Sequence, residues 1–433
     1  MTALQNRIGL SLSGGGYRAA AFHLGTLNKL QEMNILQRTE VISTISGGSI
    51  AGAYYCLQKD DYKKFSESLY TALQTKSVIK RVLRSFTFFK LVLLALLFIG
   101  PAVYCLFTPY AWFFPLLLGL FVALLMKFQF EMFPVSKEIE KIYNDFFYDG
   151  KTLSELPESP ALVIGSTNLQ TSRPFTFSRT WMQDSTYQYS KPPVKFRAAG
   201  FPLARAVMAS SCVPFAFTPI KITKEFFENP ADADKVHPLL VDGGVYDNQG
   251  IHKIMQKGSY ACSHVITSDA GAGGSGELSF RNTIALLITT VDVFMSRIKK
   301  VQMVQDLYDN AATTKKEIAY FSLGWDMENC IPGFINNLAS GQITGSVIKA
   351  HQFPQEWVDD PRTHEQEITE HLKNKTGYDG IFKPSLEERA VARKVGTNLT
   401  ALSRSQVDSL MKVASSLAEL QVKLYCPSII TMS

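Results

Sequence analysis

Ser46 is the residue of the chain best placed by its neighbours to act as a nucleophile. It stands between the β-branched run Val41–Ile45 and the glycines Gly47 and Gly48. A serine on a sharp turn between a strand and a helix is exposed and can attack a carbonyl carbon, an arrangement usually written G-x-S-x-G. Position 44 holds threonine where this pattern has glycine, so the match is incomplete.

Ser49 is a rival nucleophile, in the frame Gly47-x-Ser49-x-Ala51. We favour Ser46 because it follows the predicted strand immediately, whereas Ser49 would lie in the first turn of the next helix.

A nucleophilic serine needs a base, and Asp242 is a candidate. It follows the apolar run Pro238–Val241 and precedes Gly243 and Gly244, so it lies at the end of a predicted strand, where α/β domains build their sites. None of the seven histidines has a diagnostic context, and His23 lies inside a predicted helix, where we interpret it as structural. An aspartate held close to the serine would make a histidine base unnecessary.

A glycine triplet, Gly14, Gly15 and Gly16, follows the predicted strand Ile8–Ser13 and precedes a helix predicted from Arg18. Glycines at this position let backbone N–H groups approach an anion closely. They could hold a phosphate or the oxyanion of acyl transfer, or they could form a structural turn. The lysine of a Walker loop is absent, and a dinucleotide site fits poorly.

The elements that position these residues alternate between strands and helices, which predicts an α/β domain with a mostly parallel sheet. We predict strands at 8–13, 41–45, 161–165, 238–241 and 264–268, and helices at 18–33, 50–58 and 203–211. Val407, Leu410, Ala414, Leu417 and Leu424 have helical spacing and predict a C-terminal helix. The charged stretch 353–383 lacks clear periodicity and is interpreted as a loop.

A charge-free run of 36 residues, Leu91–Met126, interrupts the domain. One helix of that length would measure roughly 54 Å, against about 30 Å for a hydrocarbon core, so we predict two helices joined at Thr108 and Pro109. Lysines and arginines flank both ends, which predicts that both ends stay on the cytoplasmic side. A full crossing, a re-entrant hairpin and a buried hairpin of a soluble protein are the alternatives.

Composition narrows the possible functions. The 433 residues are 46% hydrophobic and 19% charged, and the net charge is +6. No concentrated basic stripe indicates a nucleic-acid partner, whereas a modest positive excess fits an anionic membrane surface. The six cysteines are scattered without metal-binding spacing, which indicates reduced thiols, and no secretory signal is evident. We therefore expect a membrane-associated protein whose catalytic part faces the cytoplasm.

The three motifs, in this order, resemble those of the patatin-like phospholipases. That family has a G-G-G-x-R-G loop, a G-x-S-x-G elbow and a D-G-G/A motif, here Gly14–Ala19, Thr44–Gly48 and Asp242–Gly244. The stretches Ala209–Pro214 and Val245–Asn248 also look like the family. Two positions depart from its pattern: Ala19 replaces the last glycine of the loop, and threonine replaces the first glycine of the elbow.

The resemblance covers residues 8–270 and implies a three-layer α/β/α hydrolase domain there. The residue pattern adds the membrane hairpin at 85–130, which interrupts this domain, and a mostly helical extension over 271–433, where no family motif is found. It implies a phospholipase A or lysophospholipase that needs no metal or cofactor. A neutral-lipid hydrolase or transacylase shares every motif, and an inactive membrane scaffold is the alternative of another class. Head group, acyl position and oligomeric state are left open.

The resemblance also assigns roles to residues. Ser46 would be the nucleophile and Asp242 the proton acceptor, and the backbone of Gly14, Gly15 and Gly16 would form the oxyanion hole. The supporting residues would be Arg18, Gly47, Gly48, Gly243 and Gly244. Arg18 could orient the glycine loop or contact a lipid phosphate.

Overall fold

One mixed sheet organises the chain. The computed structural model describes residues 6–272 and 282–431. The strands in these residues are β1 (Ile8–Leu12), β2 (Thr39–Ile45), β3 (Ala161–Asn168), β4 (Arg173–Phe177), β5 (Met182–Asp184), β6 (Ile220–Lys221), β7 (Leu239–Asp242), β8 (His264–Asp269) and β9 (Glu317–Ser322). Their order is β5-β4-β3-β2-β1-β8-β9, with β7 also paired to β3 and β6 paired to β7. The five strands predicted from sequence are confirmed.

The helices follow the strands in the alternation that the sequence predicts. They are α1 (Gly16–Glu32), α2 (Gly47–Leu57), α3 (Tyr62–Thr75), α4 (Val78–Leu83), α5 (Phe86–Cys105), α6 (Phe113–Met132), α7 (Val135–Tyr143), α8 (Ser185–Gln188), α9 (Leu203–Ser210), α10 (Gly244–Asp247), α11 (His252–Met255), α12 (Thr283–Met303), α13 (Cys330–Ala339), α14 (Gly345–His351), α15 (Gln355–Asp359), α16 (Glu365–Thr376), α17 (Leu386–Lys394), α18 (Arg404–Tyr425) and α19 (Pro427–Thr431).

Both faces of the sheet are covered, which confirms the three-layer arrangement. Side chains of a strand alternate between the two faces, so neighbours such as Val41 and Ile42, or Val265 and Ile266, enter different cores. The larger core contains residues of α1, α2 and α18, and the smaller one contains Ile254 of α11.

The chain beyond residue 270 shares the core of the domain. β9 pairs in parallel with β8 at the edge of the sheet. α18, the predicted C-terminal helix, packs on α1 so closely that a Cβ at Gly25 would lie 2.5 Å from the Cα of Met411. The extension predicted over 271–433 is mostly helical as expected, but it also supplies a strand of the sheet. Its residues 273–281 and 432–433 lie outside the described residues.

The charge-free run forms two helices, as predicted. α5 and α6 pack against each other through Phe98 and Phe121, whose ring centroids are 5.4 Å apart. The helices project from the domain: within the two apolar windows, of mean hydropathy 2.2 and 2.0, only 6% of the residues are buried. The interpretation as a buried hairpin of a soluble protein is therefore wrong.

The stretch 353–383 is not a loop. It contains α15 and α16, separated by turns. α16 buries only Ile368, Leu372 and Thr376, so most of its surface is polar and its helical period is faint in the sequence. The six cysteines, all of them within the described residues, form no disulfide.

Candidate active site

The candidate nucleophile and base lie close together because β2 and β7 both pair with the same edge of β3. The end of β2 pairs Ile45 with Gly165, and the end of the antiparallel strand β7 pairs Asp242 with Ser166. β4 occupies the opposite edge of β3. β2 and β7 therefore run toward each other, and the residue that follows Ile45 faces Asp242.

Ser46 lies on a strained turn between β2 and α2. Its φ of 50° and ψ of −118° fall in a region that side chains other than glycine rarely adopt. Ser46 is 7% exposed, and its hydroxyl lies near enough to the carboxylate of Asp242 to lower the pKa of that group. Strain of this kind is typical of a serine held out toward a substrate.

The threonine that breaks the elbow pattern is accommodated by a glycine one turn into the helix. A Cβ at Gly52 would lie 2.6 Å from the Cγ2 of Thr44. Thr44 is fully buried, and its hydroxyl accepts a hydrogen bond from Ser49 at 3.0 Å. The space that a glycine at position 44 would provide comes instead from Gly52, so the elbow keeps its shape.

The rival nucleophile Ser49 is fully buried. Its hydroxyl lies 2.9 Å from the hydroxyl of Ser210 in addition to its bond with Thr44. Both contacts lie inside the protein, so Ser49 stabilises the elbow from its buried side.

Asp242 is buried, with 5% of its surface exposed. Its Oδ1 accepts the N–H of Gly244 at 2.7 Å, and its own N–H donates to the carbonyl of Cys212 at 2.8 Å. Burial raises the pKa of Asp242 to about 6, against the lowering effect of the Gly244 N–H and the Ser46 hydroxyl. A carboxylate with this pKa is ionised at neutral pH and still accepts a proton readily, as a general base must.

The glycine loop lies directly beside the elbow. A Cβ at Gly14 would lie 3.2 Å from the Cβ of Ser46, and one at Gly47 would lie 2.6 Å from the nitrogen of Gly16. Gly15 and Gly16 have φ values of 138° and 58°, so both need the freedom of glycine. The loop leads into the N-terminus of the 17-residue α1, whose free N–H groups favour negative charge.

Gly14 differs from the other two predicted oxyanion donors. Its N–H donates to the carbonyl of Asn248 at 2.9 Å and is therefore occupied. Among the described residues, no acceptor is found for the N–H groups of Gly15, Gly16 and Gly47. The N–H of the residue after a nucleophile is a usual oxyanion donor, so Gly47 joins the candidates.

The other predicted supporting residues pack around the site. Gly48 donates its N–H to the carbonyl of Ser13 at 3.1 Å, and Gly243 lies against Gly165, whose carbonyl oxygen a Cβ would approach to 2.5 Å. Arg18 lies behind the glycine loop, where its Nη2 would be 3.2 Å from a Cβ at Gly15. Its Nη1 donates to the carbonyl of Val395 at 3.3 Å, an arrangement that favours loop support.

Two site residues were noticed in the sequence only as parts of family-like stretches. The Ser210 hydroxyl accepts the N–H of Ser46 at 2.9 Å and donates to the carbonyl of Gly165 at 2.6 Å, which joins the elbow to β3. The Oδ1 of Asn248 lies between two glycines of the motifs, 2.3 Å from a Cβ at Gly14 and 2.6 Å from one at Gly244. The stretches Ala209–Pro214 and Val245–Asn248 were the only signal.

The histidines do not reach the dyad. His23 is fully buried, and its ring nitrogens contact the Ser268 hydroxyl and the Ser13 carbonyl, each at 2.9 Å. Burial lowers its pKa to about 4. No histidine in the described part of the chain hydrogen-bonds Ser46 or Asp242, and the same residues contain no cluster of His, Cys, Asp or Glu that could hold a metal ion.

A family model for the patatin-like phospholipases matches residues 10–254, more than half of the chain. The chain belongs to the patatin-like phospholipase family. The matched part contains the glycine loop, the elbow and the Asp242 motif, and the family's chemistry is that of a lipid hydrolase. No curated protein matches the sequence.

Solved structures resemble the chain at low sequence identity. Human GIVD cytosolic phospholipase A2 is 11% identical with a TM-score of 0.48, over 99% of this chain and 60% of that one. The complex of that enzyme with methyl gamma-linolenyl fluorophosphonate is 12% identical with a TM-score of 0.46, over 99% of this chain and 59% of that one. VipD from Legionella pneumophila is 12% identical with a TM-score of 0.33, over 98% and 88%. The chain therefore spans about 60% of the length of the human enzyme.

Proposed function

We propose that this patatin-like protein is a membrane-bound phospholipase A or lysophospholipase that cleaves lipid esters through a Ser46–Asp242 dyad. The observation that carries the proposal is the position of Ser46 beside the buried Asp242 carboxylate, where the ends of β2 and β7 meet on β3. Asp242 takes the hydroxyl proton as the Ser46 Oγ attacks the ester carbonyl carbon. The resulting oxyanion accepts hydrogen bonds from Gly15, Gly16 and Gly47, which would be worth about 10²–10³ in rate for each donor.

Collapse of the tetrahedral intermediate completes acylation. The bond to the lipid alcohol breaks, the alcohol leaves with the proton held by Asp242, and the acyl group stays on Ser46. A water molecule then loses a proton to Asp242 and attacks the acyl-enzyme, which releases the fatty acid. No other protein base is needed for either half of the reaction.

The hairpin would deliver this site to its substrate. α5 and α6 each contain 20 residues and span about 30 Å, which is the thickness of a hydrocarbon core. Their domain-side ends lie together, where the Thr87 hydroxyl donates to Glu138 of α7 at 2.7 Å. We therefore infer that the helices enter the bilayer as a pair and leave the catalytic domain on the cytoplasmic side.

The base of the hairpin is connected to the candidate site. The Ser136 hydroxyl of α7, just after the hairpin, donates to the Thr218 carbonyl at 2.5 Å. The loop before Thr218 begins at Cys212, the residue that accepts the Asp242 N–H, and it exposes 41% of Val213 and 69% of Phe215. An apolar loop between the membrane helices and the dyad is where a lipid chain would pass.

A fluorophosphonate probe tests the nucleophile. It should label Ser46 in the wild-type protein, and Ser46→Ala should lose both the label and ester hydrolysis. Ser49→Ala is the matched control, since it removes a neighbouring hydroxyl and should keep the label. Labelling that persists in Ser46→Ala and disappears in Ser49→Ala would show that the other frame of the elbow is used. Product analysis on mixed lipids by mass spectrometry would then separate hydrolysis from acyl transfer.

A further inference from the structure

A cleft opens beside the sheet, and Ser46 is not among the residues that line it. It has a volume of about 530 Å³ and lies between the β4–β5 hairpin and the helices α10 and α11. This is within the usual range for a small-ligand site. Four basic side chains line it, namely Arg173, His252, Lys253 and Lys257, whereas its lining contains no aspartate or glutamate.

The carboxylates near this cleft are already occupied. Asp184 acts on the charge of Lys253, but it is buried and accepts hydrogen bonds from Asn168 and Thr171 and from the backbone of Thr186. Asp247 is also buried, and its oxygens accept three backbone N–H groups. Asp184 therefore offsets part of the charge of Lys253, whereas Asp247 is held by the backbone.

Two of the cations, Arg173 and Lys253, lie close enough to His252 to disfavour its charged form. Burial, together with the charges of Lys253 and Arg173, lowers the pKa of His252 to about 4, so this ring is neutral at pH 7. Burial also lowers the pKa of Lys253. Among the described residues, Arg173, Lys253 and Lys257 form no ion pair, whereas Arg179 on the same side of the domain pairs with Glu158 at 2.6 Å. A group of cations that is only partly compensated raises the free energy of the protein, and a bound anion would lower it.

The remainder of the cleft suits a polar ligand. Trp181 and Tyr260 stack at one wall, with ring centroids 5.4 Å apart and an interplanar angle of 17°. Hydrogen-bonding side chains line the rest, among them Gln183, Ser185 and Gln188. An arginine fork with nearby lysines is the combination that recognises phosphate oxygens.

We propose that this cleft binds the phosphate group of a phosphate ester, held by Arg173, Lys253 and Lys257. Such a phosphate is present in a phospholipid head group and in a free phosphate metabolite. Tyr246 lines the cleft and lies on α10, whose first residue, Gly244, donates to Asp242. A bound phosphate would thus lie next to the helix that holds the candidate base. The inference does not depend on Ser46 being the nucleophile.

Binding can be measured on the full chain in nonionic detergent and phosphate-free buffer, with Ser46→Ala introduced throughout to prevent turnover. The probes for isothermal titration are inorganic phosphate, glycerol 3-phosphate and dihexanoyl phosphatidic acid, with dihexanoylglycerol as the neutral comparison. Added Arg173→Gln and Lys257→Gln should weaken phosphate-probe binding at least about tenfold. The matched control, Arg179→Gln with Lys224→Gln, removes the same charge outside the cleft and should bind like the parent.

Each outcome decides one point. If only dihexanoyl phosphatidic acid shows the variant-sensitive binding, the ligand is a lipid head group; if inorganic phosphate or glycerol 3-phosphate shows it too, a free phosphate ester fits. If both pairs of substitutions weaken binding equally, general surface charge explains the binding and the proposed site is overturned. Failure of every phosphate probe to bind would overturn it as well. A circular dichroism spectrum and a thermal unfolding midpoint like those of the parent protein would show that the cleft variants remain folded.

Discussion

Replacement of Asp242 by asparagine should abolish ester hydrolysis and, at the same time, stabilise the protein at pH 8. Burial raises the pKa of this carboxyl from its usual 3.8 to about 6, so the fold opposes ionisation. The stabilisation that the protonated acid contributes is complete below about pH 4 and is lost as the pH rises toward 6. Asparagine is neutral at every pH and keeps an oxygen to accept the Gly244 N–H, so the variant does not suffer this loss.

The size of the effect follows from the shift. A difference of about two pKa units corresponds to about 3 kcal/mol at about 1.36 kcal/mol per unit. Asp242→Asn should therefore gain up to about 3 kcal/mol in unfolding free energy at pH 8 and close to nothing at pH 4. In the wild-type protein, hydrolysis should fall with the ionised fraction, to about a tenth of its plateau at pH 5.

Thermal and denaturant unfolding of the two proteins in the same detergent, at pH 4 and pH 8, measures the stability difference. Hydrolysis of p-nitrophenyl butyrate from pH 4.5 to 8 measures the activity. Other buried acids, Asp247 among them, are present in both proteins and cancel in the comparison. A variant that is less stable than the wild type at pH 8 would refute the argument that the buried charge opposes folding. A wild-type protein that neither hydrolyses the ester nor reacts with the fluorophosphonate probe would leave Asp242 without a function as a base.

Three further predictions test the elbow, the base and the anchor. Gly52→Ala should lower activity by at least about tenfold, because the added methyl would clash with Thr44. Adding Thr44→Ser to the same protein should restore most of the activity. Additive effects of the two substitutions in this double-mutant cycle would contradict the contact. His23→Ala should cost about 2–4 kcal/mol of stability, because it leaves a cavity at a buried site. Turnover per folded molecule should stay within a few fold of the wild-type value. A loss of orders of magnitude would make His23 part of the mechanism. Replacing 86–132 with a short polar linker should move the protein from the membrane fraction to the soluble one while soluble-ester hydrolysis persists, and retention in the membrane would contradict the anchor.

Features set by neighbours in the chain were predictable from the sequence alone. The strand Val41–Ile45 and the glycines after Ser46 indicated a turn that presents a hydroxyl, and the turn is there. The charge-free run Leu91–Met126 was too long for one helix, and it is a pair. α16 was missed because three buried residues give too weak a period. Each of these outcomes depends on local sequence, where apolar periodicity and backbone preference are readable.

Relations between distant segments needed the tertiary structure. The sequence favoured Asp242 at a strand end, but only the pairing of β7 on β3, antiparallel and one residue beyond β2, brings it to face Ser46. The same packing pairs the Gly14 N–H with the carbonyl of Asn248. Strand register and N–H satisfaction depend on contacts between residues far apart in the chain, and no local pattern encodes them.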